Sequence, residues 1–166
     1  MLISIHQLLG DVTPFLVHIF QYLSTKGINV ANYELDHICY RVETEERYQQ
    51  LKKELSDLGE LLIESQIGGR AIASIKLDQP IIYKNRAIAV VELPAPKKGS
   101  FYKEGFEHVE FVIDVPFDNF MAAHPHLDFI TKDLKKSVNQ GITLKETDFS
   151  VKFHHHTLEY VIRYLD

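Results

Sequence analysis

Apolar positions recur along this chain at two spacings, one helical and one of period two. The first thirty residues follow the helical spacing. Thr13 before Pro14 reads as an N-cap with proline at the first helical position, and Phe15, Ile19, Phe20 and Leu23 fall on one face. Gly27 stands where a glycine would end that helix, and Ser4 caps a shorter one carrying Ile5, Leu8 and Leu9. From Asp36 the period becomes two: Ile38, Tyr40 and Val42 share one side of a strand, His37, Cys39 and Arg41 the other. A helix follows, opened by Glu43, Glu45 and Glu46, striped by Tyr48, Leu51, Leu55 and Leu58, and stopped by Gly59.

Residues 61–66 and 70–77 then read as strands joined by the Gly68-Gly69 turn, and Lys84-Asn85-Arg86 turns into the apolar strand 87–93. The segment 94–105, with two prolines, two glycines and three lysines, has the composition of a linker. Beyond it lie a strand over 106–113 and a short helix over 116–123, while 124–141 carries no clear pattern. Ser150–His154 and Thr157–Ile162 read as a terminal hairpin, with a helix from Thr157 as the alternative. The fold class expected is α+β in a single domain. Helices over 1–33 pack on a first βαβββ-type module (34–96) and a second, shortened one (105–166), and the two form a curved half-barrel.

Two stretches of the chain repeat. Asp36-His37-Ile38-Cys39-Tyr40-Arg41-Val42 aligns with Glu107-His108-Val109-Glu110-Phe111-Val112-Ile113: acidic, His, β-branched, variable, aromatic, variable, aliphatic. Each histidine is followed at a similar interval by a glutamate in an apolar run, Glu92 and Glu159. A glutamate inside Ala-Val-Val-Glu-Leu is costly to bury unless paired, protonated or bound to a metal. If the modules face each other, His37, Glu92, His108 and Glu159 form a pseudo-symmetric cluster suited to Zn, Mn, Fe, Ni or Co. The plainer alternative for the histidines is a pair of core imidazoles satisfied by backbone hydrogen bonds, and for Glu159 a position on a terminal helix turned towards solvent or an ion pair.

Further residues join this picture through strand geometry. Glu110 shares the side of His108, as a general base, as a carboxylate orienting an imidazole, or as an inward carboxylate paired with Arg41 or another cation. Arg41 and Arg70 are candidates for binding an anionic substrate group, Arg70 with surface solvation as its alternative. Within His154-His155-His156 the plainer reading is turn and surface; alternation lets at most His154 and His156 act together, with His154 facing the cavity as a substrate-binding candidate. Cys39 reads as a small buried apolar residue.

Composition narrows the function classes. Among 166 residues a net charge of −5 argues against a nucleic-acid binder, and no apolar run reaches the ~20 residues of a membrane helix. The start of the chain lacks a basic region and a cleavage site, so no signal peptide is expected. A lone cysteine excludes an intramolecular disulfide and a zinc–thiolate site, and makes a reducing, cytoplasmic setting the expectation.

Asp36-His37-Ile38, Gly68-Gly69-Arg70, residues 91–96 (VELPAP), 104–110 (EGFEHVE) and 151–159 (VKFHHHTLE) together resemble the YecM family. That family is a bacterial branch of the vicinal oxygen chelate superfamily, the glyoxalase, bleomycin-resistance and extradiol-dioxygenase fold. The resemblance spans roughly residues 5–162. It implies a divalent metal inside the curved sheet, held from the first and last strands of each module, which are the positions of His37, Glu92, His108 and Glu159. It implies a metal-dependent isomerase, lyase or oxygenase acting on a small oxygen-rich substrate and fixes no one reaction. Because relatives often dimerise, a homodimer is an expectation on that ground alone. The rival class is a metal-free small-ligand-binding protein on the same scaffold.

Overall fold

The structure is a computed structural model, which describes residues 3–165. Seven strands form one curved, open sheet: β1 (Glu34–Arg41), β2 (Gly59–Ile67), β3 (Arg70–Tyr83), β4 (Arg86–Pro94), β5 (Gly105–Val112), β6 (Gly141–Lys145) and β7 (Ser150–His154). Their order across the sheet is β2-β3-β4-β1-β5-β7-β6. The helices are α1 (Ile5–Leu9), α2 (Thr13–Thr25), α3 (Glu45–Ser56), α4 (Phe117–Ala122) and α5 (Leu158–Tyr160), the last continuing into π-helical turns over Val161–Leu165.

Local chemistry sets the helix ends. Ser4 and Gln7 form a reciprocal capping box on α1, and the Thr44 hydroxyl accepts from the Arg47 N–H at the start of α3. Thr13 is already helical, so it is not the cap of α2; the Asp11 carboxylate accepts its N–H at 2.9 Å instead. Gly27 leaves α2 at φ +74°, a left-handed conformation that glycine adopts without steric cost.

The expected duplication is present. In the first module β1 pairs in parallel with β4, and β3 and β2 follow outward; in the second, β5 pairs in parallel with β7, and β6 follows. The second module therefore has one strand fewer. The two modules meet where β1 and β5 run antiparallel. Leu16, Ile19 and Leu23 of α2 and Tyr48, Leu51 and Leu55 of α3 pack with Ile38, Ile75, Val91, Val109, Phe111 and Phe153 into one core on a single face of the sheet. The other face is polar.

The terminal hairpin differs from expectation. The partner of β7 is β6, drawn from the end of the weakly patterned stretch, and only Ile142 and Leu144 of it show the alternation. Residues from Leu158 onward are helical, because the Thr157 hydroxyl accepts from the Tyr160 N–H at 3.1 Å and caps a new helix. No helix among the described residues is long and apolar enough to cross a membrane.

At Gly59 a Cβ atom would lie 2.0 Å from the Lys76 carbonyl oxygen and 2.8 Å from Leu77 Cα, both backbone and unable to retreat without opening the β2–β3 pair. Gly59→Ala is expected to cost about 1–3 kcal/mol, as overpacking does. The melting midpoint would drop by about 2–4 °C for each kcal/mol. An unchanged thermal melt would contradict this close approach.

Candidate metal centre

Strand alternation puts every chemical group of interest on the polar face. With Ile38 and Tyr40 committed to the core, His37, Cys39 and Arg41 of β1 point the other way, as do Glu92 of β4, His108 and Glu110 of β5, and Lys152 and His154 of β7. The antiparallel register sets Cys39 opposite His108 and His37 opposite Glu110, so the two repeated histidines lie on one diagonal with ring centroids 6.3 Å apart. Both are buried.

Each imidazole is held from behind. Nδ1 of His37 donates to Asp36 Oδ2 at 2.7 Å, Nδ1 of His108 donates to Glu107 Oε2, and Nδ1 of His154 donates to the Gln140 carbonyl at 2.9 Å. An ionised carboxylate or a carbonyl can only accept, so in each ring the Nδ1 proton is fixed and Nε2 turns inward. This is the arrangement that orients histidines toward a metal. Asp36 Oδ2 also accepts the Leu158 N–H at 2.8 Å, tying the start of α5 to the same imidazole. Across the β6–β7 ladder His154 faces Gly141, where a Cβ would lie 2.5 Å from the imidazole Cε1; glycine makes the space for that ring.

The inward Nε2 atoms converge on Glu110. Its Oε1 lies 3.3 Å from His37 Nε2, 3.2 Å from His108 Nε2 and 3.4 Å from Lys152 Nζ, and its Oε2 lies 2.5 Å from His154 Nε2. Glu92 Oε1 is 3.5 Å from His108 Nε2. None of the three Nε2 atoms finds a hydrogen-bond partner of proper geometry among the described residues, although all three are buried. Donor atoms of His37, Glu92 and His108 all lie within 4.8 Å of one another, close enough to ligate one ion. Two nitrogens and carboxylate oxygens make a donor set that suits a first-row divalent cation.

Charge is tightly coupled here. Burial works against the charged ring of His37, but the charges of Glu110 and Asp36 outweigh it and hold its pKa well above the ordinary value. For His108 burial is again opposed, by the Cys39 sulfur and the Glu107 carboxylate, and the pKa rises likewise. Burial would raise Glu107, yet its hydrogen bond to His108 and the charges of His108, Arg41 and Lys152 bring it down to about 2. Glu110 is held well below the usual carboxylate range, against its burial, by His37, Lys152 and His154, while Lys152 is pushed up by Glu110 and Glu92. Counted with neutral imidazoles, the carboxylates of Asp36, Glu92, Glu107 and Glu110 exceed the cations Lys152 and Arg41 by two charges. Two imidazolium protons, or one divalent cation, make up the difference.

Of the four ligands expected from the repeat, the structure brings together His37, Glu92 and His108. Glu159 is elsewhere: it lies on α5, accepts from Lys76 at 2.8 Å and pairs with Arg163 at 2.9 Å. The shorter second module explains the error, because its last strand ends at His154 and leaves Glu159 on the helix beyond. Glu110 belongs to the cluster and does not pair with Arg41, which lies 3.3 Å from Glu107. Arg41 and Arg70 both stand over the Tyr102 ring, at 4.5 and 5.8 Å, and Arg70 donates to the Ala95 carbonyl at 3.3 Å. Arg41, Tyr102, Phe106, Glu107 and Asp148 help line an adjoining cleft of about 550 Å³. His154 is buried against the cluster and not at the surface, where the plainer reading of the histidine run puts it. Asp36, Glu107 and Lys152 went unassigned in the sequence. The acidic residue before each repeated histidine was the available signal for the first two, and the alternation Ser150, Lys152, His154 was the signal for the third.

A model of the family described as YecM protein matches residues 4–164. Protein YecM of Escherichia coli (strain K12) is 33% identical over 101 residues, covering 60% of this chain and 54% of that protein. An uncharacterized protein of Haemophilus influenzae is 34% identical over 86 residues, 52% of this chain and 45% of the relative. The chain thus spans about half the length of the curated relatives it matches. A solved structure from structural genomics, Protein EC4020, superposes with a TM-score of 0.77 at 24% identity, covering 98% of this chain and 97% of that one, and shares its fold.

The raised imidazole pKa values give the metal-free protein a definite pH response. The stabilisation from the charged rings of His37 and His108 is fully present below the unfolded value of about 6.5 and is lost as pH rises through their higher folded values. In chelator-treated protein, imidazole NMR resonances of both residues are expected to stay in the protonated form above pH 6.5. The thermal midpoint should decline as they titrate. Midpoints of titration at or below 6.5 would contradict the charge arrangement.

Proposed function

This chain belongs to the YecM family, and we propose that its polar sheet face holds one divalent cation and works on a small oxygen-rich substrate, as a metal-dependent isomerase, lyase or oxygenase. The observation that carries this reading is the trio of buried Nε2 atoms without hydrogen-bond partners, on rings whose Nδ1 protons are pinned. Burying an imidazole nitrogen unsatisfied is costly, and a coordinated cation removes that cost at all the nitrogens it reaches.

His37 Nε2, His108 Nε2, Glu92 and Glu110 Oε1 are the donors that would hold the ion, with zinc, manganese, iron, nickel and cobalt all compatible with the set. When bound, such an ion acts as a Lewis acid on a substrate oxygen and lowers the pKa of coordinated water. Asp36 and Glu107 keep the two imidazoles in the correct tautomer and orientation. The Glu110–His154 pair, at 2.5 Å through Oε2, is placed to accept a substrate proton and pass it on, the general-base role. Arg41, at the cleft beside the cluster, presents its guanidinium to a substrate carboxylate or phosphate, with Arg70 behind the same tyrosine ring.

One observation favours the metal-free alternative, small-ligand capture without turnover: the Lys152 ammonium already lies 3.4 Å from Glu110 and balances one carboxylate, so that protonated imidazoles can balance the rest without an ion. Elemental analysis of protein purified without an affinity tag separates the two readings. About one equivalent of a divalent metal is expected, falling to background in His37→Ala and His108→Ala. Traces well below stoichiometry, unchanged in both variants, would sink the metal reading.

The orienting carboxylates provide a graded test. Glu107→Gln leaves all ligand atoms in place but withdraws the charge behind His108, and is expected to weaken metal affinity about 10–100-fold. Competition with a chromophoric chelator measures this, and an affinity equal to wild type would contradict the role given to Glu107.

A further inference from the structure

The register of the two modules permits a position-by-position comparison. In the first module Glu92 lies on the last strand opposite Cys39, two residues beyond His37; in the second, Lys152 lies on the last strand opposite Glu110, two residues beyond His108. The place that would mirror Glu92 is thus held by a lysine, and the second module's carboxylate stands one strand over, at Glu110. The Lys152 side chain is 28% exposed, whereas those of His37, His108, His154 and Glu110 are 7% or less. The Lys152 side chain therefore reaches from the solvent side of the polar face to the cluster.

We propose that Lys152, standing where duplication would place the counterpart of Glu92, makes this centre select small carboxylate-bearing oxygen donors over neutral ones. The proposal rests on the cation reading and adds the ligand class. With Lys152 and Arg41 present, a divalent cation brings the cluster to neutrality. A carboxylate at 152 would instead leave the loaded centre with two negative charges, and an incoming anion would be repelled. An ammonium in place of a carboxylate would leave an ion one protein donor fewer and would offer an incoming anion a charged partner. Arg41, on the same face, is a second cation for the same anion, with a buried Nε that finds no hydrogen-bond partner among the described residues.

Pyruvate and its neutral amide, pyruvamide, have the same shape and the same neighbouring oxygens and differ in charge, so they serve as probes. Mn²⁺ is first titrated calorimetrically into metal-free wild type, Lys152→Met, Lys152→Arg and Lys152→Glu, and each probe then into the loaded proteins. Wild type and Lys152→Arg are expected to bind pyruvate at least tenfold more tightly than the amide. Lys152→Met should lose that preference. Lys152→Glu, with the mirrored carboxylate restored, should take Mn²⁺ more tightly than wild type and bind pyruvate no better than the amide. If wild type takes up Mn²⁺ but Lys152→Met keeps the preference, or wild type shows none, the selectivity proposal is overturned and the cation reading stands. If wild type takes up neither Mn²⁺ nor, in parallel titrations, Zn²⁺, Ni²⁺ or Co²⁺, the cation reading fails, and this proposal with it.

Discussion

A buried polar face must settle its charge, and in this protein that constraint governs the site. Asp36, His37, His108, Glu110 and His154 are all buried on one side of a sheet whose other side is a continuous apolar core. In so poor a solvent an isolated carboxylate or imidazolium is expensive, and its cost falls only through partners of opposite charge or bound ions. Every member of the group has such a neighbour, and the excess of carboxylates remains unless protons or a cation enter. On the proposed reading the same positions have two states, a protonated one without metal and a deprotonated one around it, and metal uptake would be coupled to proton release.

Duplication supplies the geometry and its breakage supplies the character. Two modules joined at the antiparallel β1–β5 pair bring equivalent histidines to a common diagonal. From there the copies diverge. The first keeps its carboxylate on the last strand, with a small thiol beside the histidine. The second moves the carboxylate beside the histidine and carries a cation on the last strand. It also lacks a strand, and the chain beyond β7 continues as α5, anchored to the first module through Asp36 and the Lys76–Glu159 pair. The site is thus two-fold in its imidazoles and asymmetric in its charges.

Much of this was readable from residue pattern. The alternation of Ile38, Tyr40 and Val42 against His37, Cys39 and Arg41 placed the histidine on the polar face, and the Asp36–Val42 and Glu107–Ile113 repeat joined the two modules. The second module was harder for a physical reason: β6 is a five-residue edge strand with two core positions, too short for its alternation to stand out from a loop. Glu159 was misplaced because an interval matched to the longer first module overshoots in the shorter one. Alternation could put Lys152 and His154 on one face of β7, but their approach to Glu110 depended on which residue of β7 lies opposite it, and pairing register is a property of the assembled sheet. The roles of Asp36 and Glu107 were hidden for a different reason. A strand residue ordinarily points away from its neighbour, yet each of these carboxylates reaches round to the Nδ1 beside it.

X-ray absorption at the metal edge of zinc-loaded protein bears most directly on the claim that these imidazoles converge on one ion. The account predicts a first shell of nitrogen and oxygen at ~2.0–2.2 Å, with the outer-shell scattering of at least two imidazole rings that disappears in His37→Ala combined with His108→Ala. A shell of oxygens without imidazole scattering, or a spectrum unaltered by that double substitution, would contradict it.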